Sequence, residues 1–212
     1  MRLPRSSAAA ALAVALAACP APVAPAAPSC PAGAVVAAAQ AELARLAGCT
    51  ALLGLTVRSG AALDASALRA LAAISGDLVI GPTVAVDEVS LGALRTVGGA
   101  VRVVGNGLLR GVYLPRLESA GRIEIDGNPA LTAIALPRLT AVRGALRVTD
   151  NAGLERIDLA ALASIAGALV VTGAPNLAAV EIDQLQRAGS VEIAAPNLAP
   201  EAIERLRAAA GR

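Results

Sequence analysis

The sequence predicts a mainly β protein, built as a solenoid of about six to seven rungs with parallel sheets and closed at each end by a helix. Two leucine-rich columns recur every 22 or 23 residues, apolar-x-apolar pairs keep the same register, and a glycine precedes most of these pairs. Independent columns that share one period indicate stacked structural repeats. The columns are Leu91, Leu114, Leu136, Leu159 and Ile182, and Leu94, Leu117, Leu139, Leu162 and Leu185.

Residues 1–18 are predicted to be a lipoprotein signal peptide. Arg2 and Arg5 precede an apolar run that is too short to span a membrane. The letters LAAC, which end at Cys19, resemble the bacterial lipobox, in which the cysteine is acylated after cleavage. An ordinary secretory signal is the alternative, since the letters ALA just before Ala18 also fit a cleavage site. We expect an exported chain that a lipid on Cys19 anchors to the cell envelope, with the outer membrane or cell surface favoured over the inner membrane.

Residues 19–32 are predicted to be a Pro/Ala-rich tether, because proline fixes φ and removes a backbone donor. Two cysteines remain beyond Cys19, namely Cys30 and Cys49. In an exported chain two such cysteines usually form a disulfide, and a pair of free buried thiols is the alternative.

Residues 33–49 are predicted to be an N-terminal helical cap of about three turns. Val36, Leu43 and Leu46 share one side of this helix, and Gly48 follows as its stop signal. The solenoid is predicted over residues 50–198, and a C-terminal capping helix over residues 199–212. That last helix has Pro200 in its first turn, as helix starts favour.

Each predicted rung has two short strands, and each strand points alternate side chains inward. The glycines before the first strand are expected at a tight corner or at positive φ; they are Gly98, Gly121, Gly144, Gly167 and Gly189. All five asparagines fall in the turn after the first strand. Inward amides can hydrogen bond to their own rung and to the next, so we predict a structural ladder. Its members are Asn106, Asn128 and Asn151 in register, with Asn176 and Asn197 displaced by two and one positions.

The phrases GNPALTAIALPRL and GALRVTDNAGLERIDL resemble the receptor L domain, over roughly residues 49–198. This resemblance implies a right-handed, β-helix-like and leucine-rich-repeat-like solenoid that serves as a surface recognition or wall-organising module. It assigns no ligand-binding residues to this chain.

Composition excludes several functions. The chain has 18 basic residues, all arginine, against 16 acidic ones, and without Arg2 and Arg5 the charges balance. A nucleic-acid partner is therefore not expected, because such proteins need a basic footprint. The chain has no histidine, which removes the commonest general base and metal ligand. We expect no enzyme, cofactor or metal. A polysaccharide lyase or hydrolase on a β-helix is the less favoured alternative, with Asp126 and Asp150 as its nearest acidic pair.

The outward side chains of the first sheet form the candidate binding surface. The spacing places Arg102, Glu124 and Arg147 in one column of neighbouring rungs, with Asp126 beside them. A solvated charge ladder is the alternative interpretation of this column. Tyr113, in the second sheet, is either an exposed binding anchor or a packed side chain. The sequence thus predicts a lipid-anchored recognition module for a protein or glycan partner, or else a structural envelope protein without a discrete ligand.

Overall fold

The computed structural model describes residues 30–208, which form the predicted mainly β solenoid of about seven turns with a C-terminal helix. The predicted signal peptide, Cys19, most of the tether and residues 209–212 lie outside the described residues. Within residues 30–208, no helix is long and apolar enough to span a membrane.

Sixteen strands and two α-helices make up the described chain. In chain order they are β1 (Val35–Ala37), α1 (Gln40–Ala44), β2 (Ala51–Leu52), β3 (Leu55–Ser59), β4 (Ala73–Ile74), β5 (Leu78–Thr83), β6 (Glu88–Ser90), β7 (Thr96–Val104), β8 (Gly111–Tyr113), β9 (Ser119–Asp126), β10 (Ala133–Ala135), β11 (Ala141–Val142), β12 (Leu146–Thr149), β13 (Arg156–Asp158), β14 (Ser164–Thr172), β15 (Ala179–Glu181), β16 (Arg187–Ile193) and α2 (Pro200–Ala208). A short 3₁₀ turn at Ala65–Leu68 connects β3 to β4.

The strands form two parallel sheets. The first sheet has eleven strands and contains the longer strand of every rung, and the second has five strands in the order β15-β13-β10-β8-β6. Apolar-x-apolar pairs point into the bore because successive side chains of a strand alternate between its faces. Both predicted leucine columns line this bore, and nine of their ten members are buried, the exception being Leu185, which is partly buried. The core is therefore one continuous apolar column from the first rung to the last.

The corner glycines are present, but the reason for them differs from the predicted one. None of the five has positive φ; the positive-φ glycines lie instead at Gly48, at Gly81 within β5, and in the turns that follow β7, β9 and β14. The corner glycines are required by the close approach of adjacent rungs. A Cβ on Gly121 would lie 2.5 Å from the carbonyl oxygen of Gly99, and a Cβ on Gly98 would overlap that of Ser75.

The N-terminal segment is not the predicted three-turn helix. Val35–Ala37 is a strand that pairs in parallel with β3, and the five-residue helix α1 follows it. The β-branched pair Val35-Val36 fits an edge strand, so pairing with the sheet outweighs the local helical pattern. Val36, predicted to share one helix face with Leu43 and Leu46, is 61% exposed, whereas those two leucines are buried. Cys30 and Cys49 form the predicted disulfide, with their Cα atoms 5.6 Å apart.

Glu42 closes the N-terminus of α1. Its carboxylate accepts hydrogen bonds from the backbone N–H groups of Ala38 and Ala39. These bonds lower the pKa of Glu42, with the bond from Ala38 as the larger cause. The backbone donors of the N-cap residue Ala39 and of the residue before it are thus satisfied by the side chain of Glu42, as in a capping box.

The C-terminal helix α2 begins at Pro200 and packs on the last rung, as predicted. Leu206 is buried, and Ala202 and Ile203 pack against the core. Glu201 lies in the first turn and Arg205 and Arg207 in the last, in agreement with the helix dipole.

Candidate functional site

The asparagine turn is a hydrogen-bonded ladder inside the protein. The side chains of Asn106, Asn128 and Asn151 are fully buried. The Asn106 backbone N–H donates to Asn128 Oδ1 at 3.0 Å, and the Asn128 backbone N–H donates to Asn151 Oδ1 at 3.1 Å. Asn128 Nδ2 donates to the carbonyl oxygens of Val103 and Asp126. Asn106 and Asn128 therefore each connect their own rung to both neighbours, and Asn151 connects its rung to the preceding one, so all three amides have a structural role.

Thr83, which the sequence analysis missed, extends this ladder by one rung. Its buried hydroxyl donates to Asn106 Oδ1 at 2.8 Å. The signal was available in the sequence, because Thr83 precedes Asn106 by 23 residues.

Asn176 and Asn197 do not belong to the ladder, contrary to the prediction. Both are exposed, and Asn176 Nδ2 donates to the carbonyl oxygen of Ala152. The ladder position in the last two rungs is occupied by the buried residues Ala174 and Ala195. Their carbonyl oxygens accept from the leucine three residues later, as those of Asn128 and Asn151 do. The two exposed asparagines each lie two residues beyond that position.

The charged column on the outer face of the first sheet has the predicted register. Arg102 pairs with Glu124 across β7 and β9, and Glu124 pairs with Arg147 across β9 and β12. Arg102 Nε lies 3.0 Å from Glu124 Oε2, whereas Arg147 has no ion-pair partner among the described residues. The side chain of Arg102 is 47% exposed and that of Glu124 is 28% exposed. The column is thus an accessible charged strip in which one cation is unpaired.

Two further arginines border this strip at the corner of the rungs. The rung that contains β9 has a corner one residue shorter than that of the next rung, which contains β11 and β12. Only Gly121 and Arg122 separate Ala120 from Ile123, whereas three residues separate Val142 from Leu146. The guanidinium of Arg143 crosses this shorter rung and donates to the carbonyl oxygen of Gly98 at 3.1 Å, two rungs away.

Two adjoining open concavities lie at this corner and share Arg122 and Gly144; together we call them the corner depression. It is lined by Asp77, Gly99, Ala100, Arg102, Gly121, Arg122, Glu124, Arg143, Gly144, Ala145 and Arg147. Glycine and alanine form its floor, which is therefore nearly free of side chains, and four arginine side chains surround this floor. Arg102, Glu124 and Arg147 were predicted from the sequence as site residues, whereas Arg122 and Arg143 were not. The signal for these two was the single 22-residue step in the leucine columns.

Tyr113 lies on the other sheet and does not join this surface. It occupies the outward column of the second sheet, next to Ser90 and Ala135. It is half-buried, and its ring covers Gly111 on its own strand, where an added Cβ would overlap the ring. The candidate residues therefore divide into a charged face on the first sheet and one tyrosine on the second.

Asp126 is half-buried beside the charged column. Its carboxylate accepts a hydrogen bond from the hydroxyl of Thr149, which is its pairing partner on β12. Asp150 follows Thr149 and holds a backbone φ of 52°, where neighbouring rungs have glycine. In the part of the chain that the structure describes, no group of three or more Cys, Asp or Glu side chains is arranged to hold a metal ion.

Comparisons with protein-family models, with curated proteins and with solved structures found no match to this chain. The geometry of the outer face of the first sheet is therefore the basis for assigning a function.

Proposed function

We propose that this chain is a membrane-anchored cell-envelope lipoprotein whose receptor-L-domain-like solenoid is a non-catalytic recognition module for a protein or glycan partner. The charged outer face of the first sheet supports this proposal most. The strands of that face are parallel and in register, so their side chains form a rigid array. The interior polar groups of Asn106, Asn128 and Asn151 are satisfied by one another, which leaves the outer charges as the groups available to a partner.

A structural envelope protein without a discrete ligand is the second candidate. It is favoured by the ion pair between Arg102 and Glu124. Charges that pair with each other are typical of a solvated surface ladder that prevents the sheets of different molecules from aggregating. The unpaired Arg147 and the corner arginines favour recognition instead.

Site-specific photocrosslinking in intact cells separates the two candidates. A photoreactive residue replaces Val170, which lies in the charged column next to Arg147. The matched control replaces Ala135, an outward residue of the second sheet. Recognition predicts a discrete crosslinked species from position 170 that is absent from position 135. If neither position gives a crosslink to anything other than the chain itself, the structural role is the correct one.

The lipid anchor has its own test. Cys19→Ser removes the acylated group, so the full-length protein is expected to move from the membrane fraction to the soluble fraction. Matched cells that produce the unmodified chain provide the control. Unchanged membrane partitioning would rule out the anchor while leaving the recognition surface untested by this experiment.

A further inference from the structure

The corner depression carries an excess of positive charge that the rest of the protein does not neutralise. Four arginines line it, against two carboxylates. Both carboxylates are already engaged: Asp77 Oδ1 accepts from the backbone N–H of Ala100 at 2.7 Å, and Glu124 pairs with Arg102. The guanidinium groups of Arg122 and Arg147 have no hydrogen bond or ion pair within residues 30–208. These two groups are free to bind an anion.

The position of Arg122 makes it the central donor of this depression. It pairs with Ala100 on β7, and Ala145 follows Gly144 at the same corner of the next rung. No long side chain therefore stands beside Arg122 within its own column. Arg143 enters from the other side, held by its bond to the carbonyl oxygen of Gly98. Because that bond uses one of the five N–H groups of the guanidinium, the others are available at the floor of the depression.

The chemistry of the lining indicates the class of ligand. Protein partners are usually anchored by aromatic or aliphatic side chains in a desolvated pocket. The floor here consists of glycine and alanine, and Tyr113 lies on the other sheet. Binding must then come from charge-assisted hydrogen bonds to guanidinium groups, which match carboxylates in geometry. A carboxylate-bearing polymer that lies across several rungs supplies such groups without needing an apolar anchor.

We propose that the corner depression binds the carboxylate groups of an acidic polysaccharide, with Arg122 and Arg143 as the principal contacts and Arg147 as a flanking contact. This inference rests on the proposed function, since it names the ligand class for the same outer face. The bond from Arg143 to the carbonyl oxygen of Gly98 also connects the rung of β12 to the rung of β7. Arg143 therefore both shapes the depression and contacts the ligand.

The test measures binding of the full-length protein, purified in mild detergent, to polygalacturonate, with neutral dextran and poly-L-glutamate in parallel. Arg122→Gln removes the central charge from an exposed position. Arg156→Gln, on the outward face of the second sheet, is the matched control. We expect polygalacturonate to bind, dextran not to bind, and Arg122→Gln to weaken binding about tenfold or more, since a hydrogen bond to a charged group contributes about 1.5–3 kcal/mol. Arg156→Gln is expected to bind as the unmodified chain does.

Three results would overturn the proposal. They are a failure of polygalacturonate to bind, equal binding by the Arg122→Gln variant, and binding of poly-L-glutamate as tight as that of polygalacturonate. The last result would assign the depression to acidic proteins or to unselective polyanion binding. If any of these results is accompanied by a discrete crosslink from position 170, the polysaccharide is rejected as the ligand and the recognition role remains supported. If any of them occurs without such a crosslink, both the polysaccharide ligand and the recognition role are rejected.

Discussion

At the scale of single residues, the ladder shows why asparagine is used in these turns. An amide carries both a donor and an acceptor, so Asn128 accepts from Asn106 and donates to Asn151 and to carbonyl groups of two rungs. Three asparagines could be predicted because they share the repeat period. Asn176 and Asn197 could not be separated from them by spacing alone, since the turn differs by one residue between rungs and alanine occupies the ladder position in the last two.

The ladder gives a quantitative prediction for Asn128→Ala. Removing this side chain leaves the buried backbone N–H of Asn106 without its acceptor and removes the side-chain donor to the carbonyl oxygen of Val103. We expect the free energy of unfolding, measured by urea titration, to fall by about 1–3 kcal/mol. Asn176→Ala is the matched control, because that side chain is exposed, and its effect is expected within about 0.5 kcal/mol. Equal effects of the two substitutions would show that the buried amide contributes no more to the free energy of unfolding than an exposed one does.

At the scale of elements, the corners and the N-terminal segment show what local patterns reveal and what they miss. The recurrent glycines predicted a corner correctly, but only the stacked backbones show that contact between rungs, and not positive φ, requires them. The segment before Cys49 has helical spacing in its sequence, yet Val35–Ala37 pairs with β3. That pairing joins residues 20 positions apart, so a local pattern does not contain it.

The corner contacts predict a large difference between two Gly→Ala substitutions. A Cβ at position 121 would lie 2.5 Å and 2.6 Å from two carbonyl oxygens of the neighbouring rung, and the backbone cannot move aside without disturbing the stack. Gly121→Ala is expected to cost about 1–3 kcal/mol of unfolding free energy, as overpacking does in other proteins. Gly92→Ala is the control, because a Cβ there meets nothing within 4 Å. A thermal melt in which both variants unfold together would contradict this explanation of the corner.

At the scale of the whole molecule, the repeat determines the fold and only part of the surface. Arg102, Glu124 and Arg147 could be placed in one column because parallel strands in register align residues that are one repeat apart. Arg122 and Arg143 were missed because their meeting depends on a rung that is one residue shorter at its corner. A period averaged over all rungs does not contain that irregularity.

The most direct test of the proposed recognition role is whether the outer face of the first sheet captures an envelope component. The full-length protein serves as bait on solubilised envelopes, unmodified or with the double substitution Arg122→Gln and Arg147→Gln. The matched control carries Arg110→Gln and Arg156→Gln, at exposed positions just before and on the second sheet, which keeps the change in net charge the same. Surface substitutions of this kind change the free energy of unfolding by about 0.5 kcal/mol or less, so both double variants are expected to melt close to the unmodified protein. We expect the first variant to lose the captured component while the control retains it, and equal capture by all three proteins would contradict the recognition role.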